Sequence, residues 1–146
     1  MKKLFTIALL ALTIVTSAFA NSSETVSKYV TNRFKTDFKN ASEVSWTSKA
    51  DYVKASFTLN DKKMEAYYNR RGEVIAKSTN ISLDELPVNV KRSFAKKFEG
   101  YTVKEAILFE GTEENAYYIS AENEKETVIL KVDQDNQLKN FKRTKK

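Results

Sequence analysis

The chain has 146 residues, 25 lysines and arginines against 19 acidic residues, a formal net charge of +6, and neither cysteine nor histidine. Without cysteine there are no disulfides, thiol nucleophiles or thiolate metal sites; without histidine the commonest general base and the commonest zinc ligand are gone. Catalysis would have to run on carboxylates, lysine, tyrosine or hydroxyls, and no arrangement of these in the sequence resembles an active site.

The first element is an address. Met1-Lys2-Lys3 precedes an apolar run from Leu4 to Val15 and the small-x-small site Ala18-Phe19-Ala20. A short basic start, an apolar stretch of this length and small residues at a cleavage site describe a secretory signal peptide over 1–20, cut after Ala20. The run is too short for a spanning helix, which needs roughly 20 apolar residues. No cysteine follows the cleavage site to carry a lipid. The expectation is a periplasmic or secreted protein with no stable membrane insertion, its core holding the fold without staples.

Residues 21–146 read as one domain made of two copies of a pattern, 21–80 and 81–146. In the first copy Val26, Val30, Phe34 and Phe38 recur every fourth residue, the stripe of an amphipathic helix over about 23–39 that Ser22 or Ser23 can cap. Strands follow over 43–48, 52–59, 64–69 and 73–78. Asn60-Asp61-Lys62 and Asn69-Arg70-Arg71-Gly72 mark the turns. In the second copy Ser82 and Glu85 stand at capping-box spacing, and Pro87 suits the first turn of the next helix. Val90, Phe94 and Phe98 form its stripe, and Gly100 ends it. Strands are expected over 102–110, 116–122, 127–132 and 137–141, with a turn at 133–136. The predicted fold is α+β: one helix plus about four antiparallel strands, twice, with both helices on one face of a continuous antiparallel sheet.

The segments Phe38-Lys-Asn-Ala-Ser-Glu-Val-Ser-Trp46, Tyr52-Val-Lys-Ala-Ser-Phe57, Ala66-Tyr67-Tyr68-Asn69 with Gly72-Glu73-Val74, Leu86-Pro87 and Phe98-Glu-Gly-Tyr101 resemble, in order and spacing, the PepSY-like, β-lactamase-inhibitor-like proteins exported by the Bacteroides group. The resemblance covers nearly all of 21–146. It implies an exported, non-enzymatic α+β protein. The chain lacks the cysteines of the true β-lactamase inhibitor, so inhibition of that enzyme and its inhibitory residues are not carried over.

Strict alternation assigns the strand side chains to two faces. Val44, Trp46, Val53, Ala55, Phe57, Leu59, Met64, Ala66, Tyr68, Val74 and Ala76 fall on the face that the helices should cover. Val103, Ile107, Phe109, Tyr117, Ile119, Ala121, Val128, Leu130, Val132 and Leu138 continue that face. The sole tryptophan, Trp46, reads as core. The opposite face should be wet, yet it carries Tyr52, Tyr67, Ile75, Tyr118 and Ile129 among Lys54, Lys77 and Lys131. Two readings stand. Ordinary cross-strand pairs stabilise a solvated sheet; an aromatic patch rimmed by charge marks a binding surface.

The charge pattern is uneven. Residues 99–126 hold eight acidic residues and two lysines, and 139–146 hold five basic residues. The acidic stretch interrupts any basic face, so no nucleic-acid partner is expected. Asp133-Gln134-Asp135-Asn136 lacks the remaining positions of a calcium loop and reads as a hairpin turn. No cofactor and no metal are expected. The leading function is an exported module that engages an envelope protein or peptide through the open sheet face, with Tyr52, Lys54, Tyr67, Ile75, Tyr118, Ile129 and Lys131 as candidate contacts. The alternative is a small-ligand binder using a groove between sheet and helices. A hydrolase would need two ionisable side chains converging in a cleft.

Overall fold

A computed structural model describes residues 26–146. The expected signal segment, its cleavage site and the caps proposed at Ser22 and Ser23 lie outside these residues. Helix α1 spans Lys28–Asp37, and Ser27 caps it, its hydroxyl accepting from the Tyr29 amide at 3.2 Å. Strands β1 (Ser42–Ser48), β2 (Val53–Leu59), β3 (Lys62–Tyr68) and β4 (Val74–Asn80) follow. A single 3-10 turn at Leu83–Glu85 carries the expected capping box between Ser82 and Glu85. Pro87 then occupies the position before helix α2, Val88–Lys97, and its carbonyl accepts from the amides of Val90 and Lys91. Strands β5 (Thr102–Gly111), β6 (Asn115–Glu122), β7 (Glu126–Val132) and β8 (Leu138–Lys145) complete the chain.

The eight strands form one antiparallel sheet in which every strand pairs with its neighbours in sequence, from β1 to β8. The turn chemistry explains this meander. Asn60 and Asp61 both have positive φ, 50° and 61°, which closes a two-residue hairpin in the sense that matches strand twist. Asn136, at φ 56°, closes the β7–β8 turn. There the Asp133 carboxylate accepts from the amides of Asp135 and Gln137 and pairs with Lys139, so its oxygens are spent on the turn. Gly72, at φ +78°, ends the turn before β4 and lies against the α1 backbone, where a Cβ would come 3.4 Å from the Tyr29 carbonyl carbon.

Both helices pack on the same face of the sheet, one over each half. Val30 and Phe34 of α1 enter a cluster with Ala55, Phe57, Ala66 and Tyr68, and Trp46 packs edge-on against Phe34 at 5.2 Å. Trp46 lies on the helix side, as expected, but is half-buried at the margin of this core. Val90 of α2 and the preceding Leu86 enter a second cluster with Ile119, Val128, Leu130 and Val132. Full burial of side chains of this size contributes roughly 1.5–3 kcal/mol each.

The register shifts at four places: in β1 between Ser42 and Ser45, in β8 where Phe141 is left unpaired opposite Ile129 and Leu130, and in β4 and β5, where the shift changes which apolar side chains face the helices. β4 has a bulge beside Tyr67 and Tyr68: Tyr68 pairs with Val74 and Tyr67 with Ala76, leaving Ile75 unpaired between them. β5 has another between Val103 and Glu105. Each inserted residue reverses the facing of the residues after it in the strand. Ala76, Ile107 and Phe109, assigned by alternation to the helix side, therefore lie on the opposite face beside Tyr67 and Tyr118. Lys77, assigned to the open face, lies on the helix side opposite Ala66 and Glu110. Val44, assigned to the covered face, is exposed on the edge strand.

Candidate functional site

The sheet face away from the helices is not the wet surface that alternation predicts. Tyr67 is 4 % exposed, Tyr118 5 % and Ile129 8 %. They form a third apolar cluster with Ala76, Ile107, Phe109 and Ala116, and Tyr52 and Ile75 pack against it. The candidate contacts therefore do come together, but Tyr67, Tyr118 and Ile129 form a floor and not an exposed patch. The bulges in β4 and β5 supply the reason, because they turn Ile107, Phe109 and Ala76 onto this face and give the tyrosines apolar neighbours. The rings then shield one another. Tyr52 meets Tyr67 edge-on at 5.5 Å, Phe109 meets Tyr118 at 6.2 Å, and Phe141 from β8 covers Tyr118 at 5.3 Å. Such edge-to-face pairs add to the stabilisation from burial itself.

Each buried tyrosine hydroxyl on this face is satisfied in the same way. Tyr67 donates to Glu65 at 2.6 Å, and the same carboxylate accepts from Lys54 at 2.6 Å and Ser56 at 3.3 Å. Tyr118 donates to Glu114 at 3.2 Å, and Glu114 pairs with Lys131 at 2.5 Å. Lys131 also stands 6.0 Å above the Tyr118 ring. Burial, reinforced by the adjoining carboxylate, pushes both phenols above their ordinary range, so both remain neutral donors. Lys54 and Lys131 thus serve as partners of carboxylates beside the tyrosines. Sequence reasoning missed Glu65 and Glu114. The usable signal for Glu65 was its position two residues before Tyr67 on the same face of one strand.

Beside the floor the face opens into a groove of about 270 Å³. Its walls come from β1 to β5 and include Glu43, Ser45, Ser56, Lys63, Glu65, Ser78, Asn80, Glu105 and Ile107. Glu43 accepts a hydrogen bond from the Thr58 hydroxyl at 2.8 Å. Glu105 follows the β5 bulge and pairs across the sheet with Ser120. Burial raises the Glu105 carboxyl above the usual range; nearby Glu65 adds to this, while Asn80 and Lys63 oppose it. A second, larger cleft of about 650 Å³ lies at the helix side, between the start of α1 and the β1–β2 turn, bordered by Val30, Lys49, Tyr52 and Arg70. Two apolar clusters lie between the helices and the sheet.

Among the described residues no group of three or more acidic, histidine or cysteine side chains is placed to hold a metal ion. No helix among them is long and apolar enough to cross a membrane.

The fold has solved counterparts. A protein from Bacteroides eggerthii, provisionally described as periplasmic, superposes with a TM-score of 0.73 at 18 % identity, over 82 % of this chain and 88 % of that one. A DUF2874 family protein from Bacteroides ovatus gives 0.69 at 21 % identity over 83 % and 88 %. A BLIP-like protein from Bacteroides fragilis gives 0.65 at 18 % identity over 82 % and 85 %. At these identities the likeness is one of fold. No family model matches the sequence, and no curated protein does.

Proposed function

We propose that the chain is an exported, non-enzymatic binding module that engages an envelope protein or peptide through the sheet face left free by its helices. The β-lactamase-inhibitor-like resemblance read from the sequence, and the fold shared with a BLIP-like protein and other Bacteroides neighbours, support this reading. The observation that carries this reading is the build of that face. An apolar floor of tyrosines and isoleucines is rimmed by charged pairs and interrupted by an open groove. Export is supported by the signal-like residues 1–20 and by the description of the B. eggerthii neighbour. We also read 21–146 as one domain containing a duplicated unit, since a helix followed by four strands occurs twice in chain order.

The contacts differ from those that alternation nominated. Tyr67, Tyr118 and Ile129 support the surface from below. The groove walls and the rim, with Lys63, Lys54, Lys131 and Phe141, meet the partner.

Capture from a periplasmic extract tests the assignment of the face. The unaltered protein should retain a partner, and the double variant Glu43→Lys with Phe141→Ser should lose it. Tyr29→Ser, on the exposed side of α1, should leave capture unchanged. Loss with Tyr29→Ser and retention with the double variant would move the site to the helix layer and refute this assignment.

A further inference from the structure

The groove is smaller than the roughly 300–1,000 Å³ of sites that enclose a drug-sized ligand. At about 270 Å³ it suits one side chain. Three of the charged residues bordering it are carboxylates, Glu43, Glu65 and Glu105, and one, Lys63, is a cation. They are not equally occupied. Glu65 is already matched by Lys54, and Glu43 accepts from a neutral hydroxyl. Glu105 forms no ion pair among the described residues, although burial penalises its charge. Ser78 borders the same space and is 5 % exposed, and its hydroxyl makes no hydrogen bond among the described residues. Asn80 and the Lys63 charge ease the cost of burying Glu105 without an ion pair, and the desolvation that remains would be offset by a cation arriving with donors to spend.

We propose that this groove receives the ammonium or guanidinium group of a lysine or arginine from the partner, with Glu105 as its counter-ion, Ser78 as a further acceptor and Ile107 against its methylene stem. The inference rests on the binding reading of the same face and names the chemistry of what that face recognises. The long stem of lysine or arginine lies on apolar surface while its charged end reaches polar partners. An acidic or phosphorylated segment would meet Glu43 and Glu105 as like charges and would be rejected.

The test uses three blocked pentapeptides that differ only at the central residue: lysine, norleucine and glutamate. They are titrated into the isotopically labelled protein and followed by amide and carboxyl chemical shifts. The lysine peptide should perturb Ser78, Glu105 and Ile107 and bind about fivefold to tenfold more tightly than the norleucine peptide, a difference of roughly 1–1.4 kcal/mol. The glutamate peptide should be weakest. Glu105→Gln should bring the lysine peptide down to the norleucine value. Ser78→Ala should lower its affinity less, and intact spectra of both variants would establish that they fold. Equal binding of lysine and norleucine peptides on this face, or no loss with Glu105→Gln, would overturn the lysine assignment and leave the binding face standing. If no peptide perturbs any residue of the open face, both fail. A response of Glu43 and Glu105 to calcium alone, without discrimination among the peptides, would also overturn it.

Discussion

The two ends of the open face use one device in two settings. At one end Tyr67, Glu65 and Lys54 form a chain of donor, carboxylate and cation; at the other Tyr118, Glu114 and Lys131 do the same. The first chain is drawn from facing strands, β2 and β3, and a third donor, Ser56, joins it. In the second, Glu114 comes from the β5–β6 turn and its pair is more exposed. The surroundings differ too. The Glu65 end borders the open groove, whereas at the Glu114 end Phe141 covers Tyr118. The same chemistry thus serves as the wall of an open site at one end and as a closed satellite core at the other. Whether a face is available for binding depends on what caps its aromatic floor, and not on how many aromatics it has.

The largest expected effect separates the two chains. Glu65→Ala leaves an ammonium, a buried phenol and a serine hydroxyl without their acceptor, and should cost about 2–4 kcal/mol in urea unfolding. Glu114→Ala should cost about 1 kcal/mol, because water replaces the lost partner more readily at an exposed pair. Equal losses would show that the strand-borne chain is no more buried, in energetic terms, than the turn-borne one.

The comparison also marks how far the sequence could be read. The helices, the eight strands and most turns are legible, because each rests on a local signal: a four-residue apolar repeat, alternation, or Asn, Asp and Gly where φ is positive. The apolar stripe starts α1 too early, since Val26 fits it although the capping residue is Ser27. The open face is legible only in part. Alternation correctly places Tyr67 and Tyr118 opposite the helices, but their burial depends on Ile107, Phe109 and Ala76, which it sends to the other side. A bulge adds one residue to one strand and leaves the local apolar pattern intact, so its effect emerges only when the partner strand fixes the register. Glu105 is hidden for the same reason. The β5 bulge decides that it faces the groove, and nothing in its immediate neighbours announces this.

A smaller effect concerns the open end alone and depends on pH. The Glu105 carboxyl is raised in the folded protein, so the folded state holds this proton more tightly than the unfolded chain does. As pH rises through the unfolded carboxylate range and then through the higher folded value, the chain gains charge on Glu105 more readily when unfolded, and stability falls. Glu105→Gln removes that penalty. Its stability relative to the unaltered protein should therefore be highest near neutral pH and should shrink toward zero as pH drops below the ordinary glutamate range. Glu126 and Asp133 have the opposite sign. Hydrogen bonds from Tyr101 to Glu126, and from Lys139 to Asp133, lower their values, so their support is present at neutral pH and is lost on acidification. Urea midpoints across pH for Glu105→Gln and Asp133→Asn should thus diverge in opposite directions from the unaltered protein. A penalty for Glu105→Gln at neutral pH would mean that the carboxylate already has a counter-ion in solution.

The smallest effect tests the closed end. Phe141 sits on the edge strand and is 46 % exposed, so Phe141→Ala should cost well under the 3–5 kcal/mol typical of a fully buried phenylalanine, about 1 kcal/mol. Its structural consequence should exceed its energetic one. With the ring gone, one side of Tyr118 becomes accessible, and the second chain should come to resemble the first: a tyrosine, a carboxylate and a lysine at the border of a new opening. Solvent quenching of tyrosine fluorescence should rise in the variant, and fluorine labels on the tyrosines should assign the change to Tyr118 and not to Tyr67. If Tyr118 stays shielded, its cover comes from Lys131 and the strands themselves, and the difference between the two ends lies in the sheet and not in the ring that caps it.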